Sequence, residues 1–115
     1  MPCANISVSV KLTEAQKEAV VKKATKILAD VIRKPISYCM ATLTELAAGA
    51  MGDSTEPIAF VRVGSIGGLN PSVNEKLSAG FCTMLNKELG IDAGRIYLNF
   101  EVFSGSNWGF NGSTF

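Results

Sequence analysis

The 115-residue chain contains no histidine. That absence removes Ser-His and Cys-His nucleophile pairs and leaves no imidazole to hold a transition metal. Cysteine is scarce: Cys3, Cys39 and Cys82 are widely spaced and form no C-x-x-C. Neither a zinc site nor a redox pair is expected, and the odd count reads as free, buried thiols. Charge is scarce too, at 18% of residues, with 11 Lys plus Arg against 10 Asp plus Glu and a formal net charge of +1. No large field exists to draw in nucleic acid or an anionic membrane surface. No run of apolar residues is long enough to cross a bilayer, so no membrane insertion is expected. The start also lacks a charged segment followed by an apolar one, the mark of a signal peptide. A cytoplasmic protein is expected, with any export following an unconventional route. Catalysis, if any, falls to carboxylates, lysines, tyrosines, backbone groups or the chain terminus.

What is present begins with MPCANISVSV. Proline inside a chain fixes φ and has no N–H. If Met1 is removed, Pro2 becomes a free secondary amine, a group no other standard residue supplies. Ile6, Val8 and Val10 alternate with Asn5, Ser7 and Ser9, the pattern of a strand with one apolar face. The period then lengthens. Val20, Ala24, Ile27, Leu28 and Val31 follow helical spacing, and Thr13 with Gln16 suits a capping box. Lys34-Pro35 closes that helix, and a second strand is expected over roughly Tyr38 to Leu46.

The same order repeats after a Gly/Ser/Asp/Pro-rich loop. IAFVRVGSI reads as a strand, and SVNEKLSAGFCTMLNKELG places Leu77, Phe81, Met84, Leu85 and Leu89 on one helical face. Ser72 with Glu75 suits a capping box and Gly90 a C-terminal cap. RIYLNFEVF supplies another strand, and SGSNWGFNGSTF a short hairpin or edge strand. Two β-α-β halves with no separating linker predict one α+β domain over 1–115, with a four-stranded mixed sheet and both helices on one face. Parity assigns Ile96, Leu98, Phe100 and Val102 to the helix-covered face, and Tyr97, Asn99 and Glu101 to the other. That second face also carries Phe103. This is much aromatic surface to leave in water, so pairing of subunits over it is expected.

The start MP, the turn KPISY at 34–38, SIGG at 65–68, RIYLNF at 95–100 and NGSTF at 111–115 occur in one register. Together they make the chain resemble the macrophage migration inhibitory factor family of the tautomerase superfamily. The resemblance implies a homotrimer whose three sheets wrap into a barrel, with an active site between each pair of neighbours. It implies keto–enol tautomerisation of phenylpyruvate-like α-keto acids and dopachrome derivatives, with Pro2 as general base and no cofactor or metal. By the same match Lys34 pairs with the substrate carboxylate, and Ser65 and Ile66 form the pocket wall. Tyr97 and Asn99 come from the adjacent subunit, and Tyr38 stands at the rim.

Two departures accompany the match. Ile58 and Val61 stand where animal members carry a C-x-x-C, so thiol oxidoreduction is not expected. Trp108 and Phe110, in NWGF, replace a smaller residue followed by tryptophan, so the pocket rim is aromatic with a different shape. The resemblance also implies a second reading, a cytokine-like binding protein that meets a cell-surface receptor.

Overall fold

Alternation at the N-terminus produces β1 (Pro2–Val8), whose Pro2, Ala4, Ile6 and Val8 are buried while Asn5 is exposed. In the computed structural model, which describes residues 1–115, β1 leads into α1 (Glu14–Ile32) and then β2 (Met40–Glu45). The second half repeats the order as β3 (Ala59–Ile66), α2 (Pro71–Leu89) and β4 (Ile96–Phe103). The four strands lie in the order β2-β1-β3-β4. β1 runs parallel to β2, β3 parallel to β4, and the two halves join antiparallel through β1 and β3. The mixed α+β sheet expected from the sequence is what forms. The tail adds a small hairpin, β5 (Gly109–Phe110) and β6 (Ser113–Thr114), turned by Asn111 at φ 51° and Gly112 at φ 79°. An Asn-Gly pair with both φ values positive matches the twist of a two-residue hairpin.

Both helices cover one face. α1 buries Val20, Ala24, Leu28 and Ile32, each four residues on from the last. Thr13 caps it: its hydroxyl accepts from the Gln16 N–H at 3.1 Å, and the Gln16 side chain accepts from the Thr13 N–H at 2.9 Å. α2 buries Leu77, Phe81, Met84 and Leu85, and Gly90 closes it at φ 69°. Each fully buried side chain of this kind contributes about 1.5–3 kcal/mol from area removed from water, far more than a cap. Packing against β1 and β3 therefore holds the helices, and the caps fix where they begin and end.

Four expectations are corrected. The N-cap of α2 is Asn70, whose side chain accepts from the Val73 N–H at 2.9 Å, and not Ser72. Pro71, with its fixed φ and missing N–H, takes the first helical position and starts the helix before Ser72. The second strand begins at Met40 rather than Tyr38, because Pro35 starts a 3-10 turn over Ile36–Tyr38. Tyr38 N–H and Cys39 N–H donate back to the carbonyls of Pro35 and Ile36, each at 3.0 Å. Val102 keeps its expected parity but is 58% exposed, so the end of β4 outruns the helical cover. The three thiols are free but only half-buried: Cys3 lies on the uncovered sheet face, Cys39 in a turn and Cys82 on the flank of α2.

Candidate active site

The segment 37–40 that follows Lys34-Pro35, the first residues of β1 and the C-terminal hairpin meet at one end of the sheet. Between them lies a hollow of about 490 Å³ lined mostly by apolar groups, among them Met1, Pro2, Tyr38, Cys39, Trp108 and Phe110. Its walls are aromatic and braced. Tyr38 meets Phe110 edge-on at 6.3 Å, and Phe103 meets Trp108 edge-on at 5.4 Å between centroids. Phe110 stacks on Phe115 at 5.4 Å. Such pairs add roughly 0.5–1.5 kcal/mol each beyond area burial, enough to hold the rim in one shape.

Gly64 makes this wall possible. A Cβ built there would stand 2.9 Å from the Phe103 ring and 3.7 Å from Trp108. A glycine inside a strand marks such close approaches, and that was the signal in the sequence for a position not singled out there. Cys39, Phe103 and Met40 also line the hollow without having been assigned to it.

The direction of the Pro2 nitrogen follows from the ladder. The Val8 carbonyl accepts from the Leu46 N–H on the β2 side, at 2.7 Å, whereas the Ser9 N–H donates to Ile58 on the β3 side, at 3.1 Å. Backbone polar groups alternate sides along a strand, so Pro2, an even residue like Val8, aims its nitrogen towards the β2 side, where Cys39 stands. The chain's amine, on Met1, is held below the usual α-amino range, first by burial, then by the Lys34 ammonium. Burial and a like charge both disfavour the ammonium form. Burial in turn pushes the Cys39 thiol up, so it stays protonated at neutral pH.

Of the residues singled out from the sequence, Pro2, Tyr38, Trp108 and Phe110 border this hollow. Lys34 follows the C-cap of α1, its N–H donating to Ala29 at 3.2 Å, and acts on the amine through its charge. Ser65 is fully buried opposite Pro2, and its hydroxyl has no hydrogen-bond partner. Ile66 ends β3 opposite Phe103. Tyr97 and Asn99 are not brought to this hollow within one chain. Both are exposed on the uncovered sheet face, and Asn99 lines a neighbouring hollow of about 460 Å³ that shares Asn5, Gly64 and Phe103 as a common wall. No helix is long and apolar enough to cross a membrane, and no three His, Cys, Asp or Glu side chains gather as a metal site.

Comparison with known proteins gives one consistent result. A homolog of macrophage migration inhibitory factor from Trichinella spiralis is 33% identical over 115 residues, all of both chains. The crystal structure of a macrophage migration inhibitory factor-like protein from Entamoeba histolytica superposes with a TM-score of 0.95 at 40% identity, covering 99% of this chain and 98% of that one. The factor from Toxoplasma gondii superposes at 0.94 with 35% identity, covering 98% and 99%. The family described as Macrophage migration inhibitory factor (MIF) matches residues 1–115, and the chain belongs to that family.

Proposed function

We propose that the protein is a keto–enol tautomerase of phenylpyruvate-type α-keto acids and dopachrome-like compounds, with Pro2 as general base once Met1 is removed. The observation that carries this reading is the place of Pro2, in an apolar, aromatic-walled hollow beside the Met1 amine. Burial and Lys34 bias that amine towards its neutral form, and the same causes would act on Pro2 once Met1 is gone. A base that is neutral near working pH, within reach of a carbon acid, is what proton transfer from carbon requires.

The chemistry balances within one site. The neutral Pro2 nitrogen takes a proton from C3 of the keto acid, leaving an enolate and a pyrrolidinium. The pyrrolidinium returns that proton to the carbonyl oxygen, and the enol leaves. Lys34 pairs with the substrate carboxylate, and the Tyr38, Trp108 and Phe110 walls receive the aryl group. Ser65 and Ile66 shape the strand end beside Pro2. The site is completed in a homotrimer, where Tyr97 and Asn99 of a neighbouring copy face the substrate. Their exposure on the uncovered face supports this arrangement, since a second copy would cover them. No cofactor takes part.

The direct test compares the Met1-free protein with a Pro2→Gly variant of unchanged circular dichroism, using phenylpyruvate. A loss on the order of 100-fold in kcat supports Pro2 as base; a wild type no faster than buffer removes the tautomerase reading for this substrate. A second reading, a cytokine-like protein that meets a cell-surface receptor, is favoured by the aromatic rim, where Tyr38, Phe110 and Phe115 are each about half exposed. A retained Met1 would favour it, because an amide nitrogen at Pro2 is no base. Residence in the cytoplasm, with export by an unconventional route, fits both readings.

A further inference from the structure

The sheet register sorts the uncovered face into rows across all four strands. Thr42, Asn5, Arg62 and Asn99 form one row, flanked by Thr44, Ser7, Phe60 and Tyr97 on one side and Met40, Cys3, Gly64 and Glu101 on the other. Arg62 and Glu101 therefore stand diagonally, on adjacent strands and adjacent rows, and both are exposed. Every ion pair of the chain involves a lysine of α1, at Lys17, Lys22, Lys23 or Lys26. Although diagonal neighbours, Arg62 and Glu101 form no ion pair with each other or with any other group, on a face that also exposes Phe60 and Tyr97. The Arg62 guanidinium makes no hydrogen bond either, unlike that of Arg95, which binds three carbonyls.

We propose that, in the homotrimer read above, Arg62 of one copy pairs with Glu101 of the next. The inference rests on the homotrimer reading above and names the charges that set its register. One free cation and one free anion at different positions of the same face are complementary to another copy of that face. In a closed ring of three, each interface uses one Arg62 and one Glu101, and no charge is left over. Guanidinium and carboxylate also match in geometry, two N–H groups to two oxygens, so the pair fixes orientation as well as charge. The Phe60–Tyr97 row supplies the apolar area next to it.

The test uses Arg62→Glu and Glu101→Arg, separately, mixed, and combined in one chain, read by native mass spectrometry and by sedimentation over a dilution series. Each single variant is expected to raise the concentration at which half the trimer dissociates by tenfold or more, because all such charges at its interfaces then repel. Mixing the two variants is expected to yield mixed trimers that outlast either parent, since two of the three interfaces regain an opposite pair. The doubly substituted chain is expected to restore the wild-type midpoint, and it also serves if a single variant fails to fold. Mixing that rescues nothing overturns the proposal, because a pair within one chain is not mended by another chain. Unchanged midpoints in both single variants overturn it as well, while leaving the trimer intact. A monomeric wild type overturns the trimer reading itself.

Discussion

At the scale of single residues, the site depends on which groups crowd the amine. Burial and Lys34 both hold the Met1 amine towards its neutral form, and the same causes would act on the Pro2 amine once Met1 is removed. An unperturbed α-amino group titrates at about 7.7–8.0, so a lowered value moves the acid limb of kcat/KM to lower pH and keeps the base available at neutrality. Lys34→Ala removes the like charge. The acid limb is then expected to move to higher pH, with a raised KM from the lost carboxylate partner; an unmoved limb would show that Lys34 does not act on the base. Gly64→Ala tests the wall. Its Cβ would meet the Phe103 ring at 2.9 Å, an overpacking expected to cost about 1–3 kcal/mol and to lower kcat/KM by displacing Phe103 and Trp108. An unaltered melting temperature and rate would contradict the close approach described here. Pro2, Tyr38, Trp108 and Phe110 were legible through the resemblance of short motifs. Gly64 and Cys39 were not, because their part depends on what faces them across the sheet rather than on their neighbours in sequence.

At the scale of elements, periodicity located both helices and all four strands of the sheet, and local stereochemistry decided their ends. At the start of α2 the expected Ser72–Glu75 box gives way to Asn70, because Pro71 takes the first helical position. Asn70→Ala is expected to cost about 1 kcal/mol, whereas Ser72→Ala should change stability by less than about 0.5 kcal/mol; denaturant titration of the two variants distinguishes the caps. The long loop before β3 is tethered by two side chains, Ser9, whose hydroxyl accepts from the Ile58 N–H at 2.9 Å, and Arg95. Arg95 donates to the carbonyls of Pro57, Ser54 and Glu56 at 3.1, 3.1 and 2.9 Å. Arg95→Ala removes the donor from three carbonyls, two of them partly buried, with an expected loss of about 1 kcal/mol or more and faster proteolysis within residues 47–57. Equal cleavage rates would show that the loop does not rely on Arg95. No sequence pattern announced this tether, since its partners are backbone carbonyls some forty residues away.

At the scale of the whole molecule, alternation along β1 and β4 was enough to separate a helix-covered face from an uncovered one. It did not reveal that Tyr97 and Asn99 stand apart from the hollow that holds Pro2, because parity gives a face and not a position along it. In the proposed homotrimer a neighbouring copy supplies them. Specific activity should therefore fall on dilution in step with trimer dissociation. Every part of the proposed mechanism converges on the amine of Pro2, and the most direct measurement is its titration by nitrogen NMR in the Met1-free protein, set beside the pH dependence of kcat/KM for phenylpyruvate. The account predicts one pKa common to both, below the ordinary α-amino range and raised in Lys34→Ala. A Pro2 nitrogen that stays protonated where the enzyme is fully active, or activity that titrates with a different group, would contradict it.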